Sequence, residues 1–195
     1  MKGSRGLSKY RMIDLTLFAV MLCVFESVLV TASTRWFPNE PYTVSVTAAI
    51  TAIVMMRWGP WAVLHALLGG IAFCYASGAA PWQYLIYCGG NLFSLAALLL
   101  KRRMGEEAIR TDALKTLLFG LCVWALMETG RALLSLLMGT ALPAALGFFT
   151  TDAVTLLFTL VLIWIARRLD GIFEDQKHYL LRVHEQEKEE DSDER

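Results

Sequence analysis

Six side chains able to carry charge or strong hydrogen bonds lie inside long apolar runs of this sequence: Glu26, His65, Asn91, Glu128, Arg131 and Asp152. In a chain that crosses a bilayer, a charged group at mid-membrane is costly, so each such residue is by default a candidate for binding chemistry. An arginine can hold a carboxylate through paired hydrogen bonds, and acids can hold an amine or a ring nitrogen. With a helical rise of roughly 1.5 Å per residue, Arg131 and Asp152 lie roughly 10 Å below the outer ends of their runs, and Asn91 and Glu128 roughly 14 Å. All four therefore fall in one half of the membrane.

Residues three and four apart share a helix face. That spacing aligns Tyr84, Tyr87 or Cys88, and Asn91 on one face, then Trp124, Glu128, Arg131 and Ser135 on a second, and Phe148, Asp152, Thr155 and Thr159 on a third. If these stripes converge, they enclose a pocket opening outward, in which the tyrosines and Trp124 stack on a planar ligand. Structural roles compete with this reading. Glu128 and Arg131, spaced i,i+3, can neutralise each other, Asp152 can sit against a helix dipole, and Asn91 can join two helices. His65 reads as a packing residue, and Glu26 has no evident partner.

The elements that must hold these groups are set by composition. The chain has 195 residues, 56% hydrophobic and 18% charged, with a mean hydropathy of +0.48. Soluble domains carry about 45–50% apolar and about 25% charged residues, so a soluble enzyme, a disordered chain and a disulfide scaffold are all excluded. Runs at 12–32, 82–100, 116–138 and 146–166 reach the roughly 20 residues that a membrane-crossing helix needs. Between them, 43–57 and 59–77 are separated at Arg57-Trp58-Gly59-Pro60, where glycine stops one helix and proline starts the next. The sequence thus predicts an all-α integral membrane protein, a compact six-transmembrane-helix bundle. The run 43–57 is its weakest member, being short and rich in Thr and Ser. Lys2, Arg5, Lys9 and Arg11 precede the first run, but Asp14 and Glu26 interrupt it and no A-x-A-like site ends it, so it reads as a retained span.

Lys and Arg set the orientation. One set of loops holds Lys2, Arg5, Lys9, Arg11, Arg57, Lys101, Arg102, Arg103, Arg110, Lys115, Arg167 and Arg168, and the other holds Arg35 alone. Both termini are expected to be cytoplasmic, with 1–11 an N-terminal segment, 12–168 the membrane domain and 169–195 a tail. Residues 168–195 carry ten acidic against five basic side chains, which the rest of the chain balances to a net charge of +0. The tail keeps an apolar stripe through Ile172, Phe173, Gln176, Tyr179, Leu180 and Val183, expected to extend the last helix or lie on the membrane surface, and it ends in the acidic run Glu185–Glu194.

The 4 cysteines, Cys23, Cys74, Cys88 and Cys122, sit in apolar runs without C-x-x-C spacing and read as small buried hydrophobes. No residue set has the spacing of a metal site, and no cofactor is implied. The sequence has no G-x-x-x-x-G-K-[ST], H-E-x-x-H or G-x-S-x-G motif, so ATP-driven work would need partner subunits, and neither a zincin nor a serine-hydrolase centre is present. The expectation is a noncatalytic protein. Gly69, Gly70, Gly89 and Gly90 are positioned for close helix contacts, and Ala19 with Cys23 forms a small-x-x-x-small pair in the first run.

Taken together, six short spans, the aromatic loop Trp36-Phe37-Pro38-Asn39-Glu40-Pro41-Tyr42 and the Arg57-Trp58-Gly59-Pro60-Trp61-Ala62 break before Gly69-Gly70 give a chain that resembles the substrate-binding S components of energy-coupling factor (ECF) vitamin transporters. The resemblance covers residues 10–168 and is one of architecture. It implies a plasma-membrane subunit that captures a small polar micronutrient, vitamin-like or zwitterionic, and works with a transmembrane coupling subunit and two ATPase subunits. It also implies that the first outer loop, with Trp36, caps a substrate pocket built by the last three helices, where Tyr84, Tyr87, Asn91, Trp124, Glu128, Arg131 and Asp152 lie. Ala19-x-x-x-Cys23 stands at the family's A-x-x-x-A docking motif. The alternative is a noncatalytic multi-span scaffold similar to the rod-shape morphogenesis proteins.

Overall fold

The computed structural model describes residues 2–39 and 42–183, and among them it contains helices and turns without any strand. Among the described residues the α-helices up to residue 166 follow in order: α1 (Lys2–Trp36), α2 (Thr47–Trp58), α3 (Val63–Ser77), α4 (Pro81–Asn91), α5 (Ala97–Met104), α6 (Glu106–Thr111), α7 (Ala113–Leu137), α8 (Leu142–Thr151) and α9 (Ala153–Ala166). Short 3-10 turns at Gly59–Ala62 and Leu92–Ala96 join α2 to α3 and α4 to α5. By length and composition, 5 helical stretches can cross a membrane: Leu7–Trp36, Thr47–Ser77, Pro81–Met104, Ala113–Leu137 and Leu142–Ala166.

The second stretch is a hairpin. A straight helix would hold Thr47 and Gly69 roughly 33 Å apart at 1.5 Å per residue, yet a Cβ on Gly69 would overlap the Thr47 side chain. The reversal sits at Gly59, whose φ of 58° is strained for any residue with a Cβ, and Pro60 then opens the 3-10 turn. Pairwise contacts fix the remaining directions. Asp14 meets Arg57 and Glu26 meets Val46, so α1 and α2 are antiparallel. Asn91 reaches Ala66, and a Cβ on Gly70 would lie 2.9 Å from the Cys88 backbone, so α3 and α4 are antiparallel as well.

All twelve residues of α2 are buried, because α1, α3, α7 and α9 surround it. Shielding from lipid explains how a segment with Thr47 and Thr51 takes part in this bundle: its polar groups meet protein, where partners are at hand. α1 shows the reverse pattern. It buries the stripe Leu15, Phe18, Leu22, Glu26 and Val30 and exposes Met12, Ile13, Leu17, Val20, Val24, Phe25 and Val28. Ala19 and Cys23 are half-buried along the edge of the packed stripe.

The end of the bundle where α1 begins is tied together by ions. Arg57 donates from Nη2 and Nε to Asp14 at 2.6 and 2.9 Å, and Trp58 Nε1 donates to the same carboxylate at 2.6 Å. Arg57 Nη1 also donates to the carbonyls of Gly171 and Ile172. Lys101 caps the last carbonyls of α2, at 3.0 Å to Met55 and 2.8 Å to Met56, and pairs with Glu106. Arg110 bridges Glu107 and Glu174, and its guanidinium holds the exposed Glu107 carboxyl below the usual carboxylate range.

These contacts exclude the first of the two expectations for the tail, extension of the last helix. The last membrane helix stops at Ala166, and the chain turns at Gly171 (φ 69°) under the Tyr179 ring instead of extending the helix. Phe173 and Gln176 are buried as a result, and a helical segment resumes at 176–183. The acidic run Glu185–Glu194 lies outside the described residues. Arg57→Met removes the clamp on residues 171–172, so limited trypsin digestion in detergent should cut at Lys177 markedly faster than in the parent. Equal cutting rates would mean that other contacts hold this segment.

Candidate functional site

A close approach of α4 to α7 builds the site. A Cβ on Gly90 would lie 2.6 Å from the Arg131 backbone nitrogen, and one on Gly130 would overlap the Gly90 carbonyl and lie 2.7 Å from Phe93. Only residues without a side chain allow α4 and α7 to meet this closely. The contact sets Asn91 beside Arg131, whose Nε donates to Asn91 Oδ1 at 3.0 Å while Asn91 Nδ2 donates to the Ala66 carbonyl of α3 at 3.0 Å. Arg131 Nη1 donates to Glu128 Oε1 at 2.8 Å and to Asp152 Oδ2 at 2.7 Å. The guanidinium lies 4.8 Å from the centre of the Tyr87 ring, and that ring stacks on Phe73 at 4.5 Å and meets the edge of Phe148 at 5.9 Å.

Asp152 takes its place through a break in the last membrane stretch. With φ −93° and ψ 12° it separates α8 from α9, and its side chain makes no cap bond, turning instead to Arg131. The three structural alternatives drawn from the sequence thus hold in part: Glu128 and Arg131 do pair across i,i+3, Asp152 does stand at a helix start, and Asn91 does join α4 to α3 and α7. All four polar residues are buried, Asn91 at 0%, Glu128 at 1%, Arg131 at 3% and Asp152 at 4% exposure. One nitrogen serves two carboxylates, so the cation is committed to its own chain.

The Arg131–Asp152 pair and the contact of Gly120 with Ile163 fix the antiparallel register of α7 and α9. The same register sets Glu128 level with Thr155 and Trp124 level with Thr159. Thr155 Oγ1 accepts from the Ser45 amide at 3.1 Å and donates to the Thr43 carbonyl at 3.2 Å, while the Thr43 amide donates to the Thr151 carbonyl at 3.0 Å. Residues 43–46 are thereby fastened across α8 and α9. Next to them, the Val46 amide donates to Glu26 Oε2 at 2.9 Å, and Glu26 is fully buried.

Several buried polar atoms of this region have no hydrogen-bond partner: Glu26 Oε1, Glu128 Oε2, Trp124 Nε1 and the hydroxyls of Thr43, Thr47, Thr51 and Thr159. A cavity of about 210 Å³ adjoins them at the end away from the chain termini, lined by residues that include Val30, Phe37, Tyr42, Thr43 and Phe73. Thr43 belongs to its wall, and the wall residue Phe73 stacks on Tyr87, which separates it from Arg131.

Of the residues singled out from the sequence, Asn91, Glu128, Arg131 and Asp152 come together, with Tyr87 beneath the cation. Trp124 lies one turn from Glu128 and packs edge-on against Phe149 at 5.9 Å. Tyr84 packs with Val30, Phe73 and Cys74, away from the ions. Trp36 is 75% exposed at the end of α1 and lines no part of this region, because the packed stripe of α1 passes through Val30 and not through Trp36. His65 is a packing residue whose Nε2 meets the Leu15 carbonyl at 3.1 Å. Sequence reasoning left Glu26 without a partner because that partner is a backbone amide. Among the described residues no three His, Cys, Asp or Glu side chains are grouped to hold a metal.

No family model, curated protein or solved structure matches the chain.

Two measurements test this arrangement. Arg131→Ala strands two buried carboxylates and is expected to cost about 3–5 kcal/mol, seen as a large fall in melting temperature in detergent. Glu128→Gln keeps an oxygen for Nη1 while removing a charge and should cost less than half as much; equal costs would show that charge pairing is not what holds the cluster. Gly130→Ala should cost about 1–3 kcal/mol by overpacking, and an unchanged melting temperature would contradict the close α4–α7 contact.

Proposed function

We propose that this chain is the substrate-binding membrane subunit of an uptake system for a small polar micronutrient, in the manner of the ECF S components it resembles. In this reading it crosses the plasma membrane six times with both termini cytoplasmic, α2 and α3 counting as separate crossings, and it is noncatalytic. The cavity then opens on the outer face and the Asp14–Arg57 layer lies at the inner face. A separate transmembrane coupling subunit and two ATPase subunits would supply the energy. Ala19 and Cys23, at the edge of the packed stripe of α1, are the proposed contact with the coupling subunit.

The observation that carries this reading is the meeting of Asn91, Glu128, Arg131 and Asp152 at one depth, beneath a cavity roofed in part by residues 42–44. Burying that much polarity away from water is expensive, and the unpartnered oxygens that remain favour a ligand over a purely internal purpose. Tyr84 and Trp124 belong to the same outer half and are proposed to shape the pocket, with Trp36 at its rim. One observation favours the scaffold reading instead: Arg131 is already paired with two carboxylates of its own chain.

Mass spectrometry of small molecules released from the purified full-length protein separates the two. A binding subunit should carry one species in near-stoichiometric amount and should pull down a coupling subunit with two ATPases, whereas a scaffold should yield neither. An empty protein that also fails to capture those subunits would overturn the proposal.

A further inference from the structure

We infer that the ligand of this interior site is a cation, a protonated amine or a positively charged nitrogen ring, and that Glu26 is the residue that selects it. The inference rests on the binding-subunit reading and names its substrate class. It starts from a count of buried charge. Around the cluster the described residues place three buried carboxylates, Glu26, Glu128 and Asp152, against one buried guanidinium, Arg131. The other buried arginine, Arg57, is committed to Asp14 at the opposite end of the bundle, and Arg35, at the far end of α1, is exposed. Glu26 stands beside the start of α2 and Asp152 at the start of α9, and a helix N-terminus offsets roughly half a charge each. Roughly one unit of negative charge is left in a region screened from water.

The hydrogen-bond inventory points the same way. Arg131 gives its Nη1 to two carboxylates, its Nε to Asn91 and its face to Tyr87, so acids of its own chain already compensate its charge. Two unpartnered buried oxygens of this region can accept: Glu26 Oε1, in a fully buried residue, and the hydroxyl of Thr43, whose residue lines the cavity wall. Ionised carboxylate oxygens accept only, and an ammonium donates only, with three N–H bonds. Thr43 stands three residues before Val46, whose amide holds Glu26 Oε2. The cavity wall and the amide that holds Glu26 therefore belong to one short segment of chain. The aromatic rings of Phe37, Tyr42 and Phe73 on the cavity wall suit a flat or cationic body.

The test uses the full-length protein in detergent with three probes that share one ring and differ in charge: benzylammonium, benzyl alcohol and benzoate. Binding is read by saturation-transfer NMR and by the shift in melting temperature at fixed ionic strength. The parent should bind benzylammonium at least tenfold more tightly than benzoate or benzyl alcohol. Glu26→Gln should lose at least tenfold in affinity for benzylammonium while keeping its own melting transition. Should that variant fail to fold, Glu26→Asp, which keeps the charge on a shorter arm, should still prefer the cation over benzoate.

Benzoate binding as well as benzylammonium, or Glu26→Gln binding the cation as the parent does, would overturn the inference. Equal binding of benzylammonium and benzyl alcohol would mean that protons neutralise the acids, and would also overturn it. If no probe binds, the charge of the molecule that co-purifies decides: an anionic or neutral one ends the cation assignment and leaves the binding-subunit reading standing. A protein that binds no probe and carries no small molecule ends both.

Discussion

The structure depends on the cost of holding Arg131 away from water. A lone guanidinium in an apolar interior is prohibitively expensive, and it becomes affordable only when carboxylates and further hydrogen bonds surround it. Each helix that lines the cluster is shaped by that requirement. Gly90 and Gly130 let α4 approach α7 so that Asn91 can reach the cation. The last membrane stretch breaks between α8 and α9 at the residue that supplies the second carboxylate. Asn91 then passes the constraint on to α3 through the Ala66 carbonyl. Four helical passes are thus fixed in depth and rotation by one side chain.

The central helix α2 connects this cluster to the opposite end of the bundle. The chain entering it gives an amide to Glu26, and its last turn gives Arg57 and Trp58 to Asp14. Both acids belong to α1, so α2 is held against α1 at each end while its middle packs on apolar side chains such as Leu22. This explains how a segment of only twelve residues can be the most buried element of the fold, meeting protein on every side.

Much of this was legible in the sequence, and the limits are physical. The convergence of Asn91, Glu128, Arg131 and Asp152 follows from depth and helix face, both of which the sequence encodes directly. The reversal at Gly59 and Pro60 is a local signal and was equally readable. The break at Asp152 was not, because a residue between two helices has the same neighbours in sequence as one inside a helix. Nor was the Asp14–Arg57 link, which joins residues 43 positions apart and depends on the tilt of α1 against α2. Trp36 illustrates the opposite limit. The resemblance placed it in a loop over the pocket, whereas the side of α1 that packs passes through Val30 and leaves Trp36 exposed.

The two polar layers differ in a way that separates a structural role from a binding one. At the end near the termini, one acid meets one base: both oxygens of Asp14 are used, and Arg57 spends its remaining donor on two backbone carbonyls. Nothing there is left over, and the cluster is a complete solution to the problem of fastening α1, α2 and the turn at residues 171–172. The layer around Arg131 does not close in the same sense. Its cation is paired with two acids, but acids outnumber it, and buried oxygens of Glu26 and Glu128 have no donors. Selection for stability alone would trim such a surplus, since an apolar side chain of similar volume in place of a buried acid is often neutral or stabilising. A surplus of acceptors beside a cavity is what a site must keep if its missing donor arrives with a ligand.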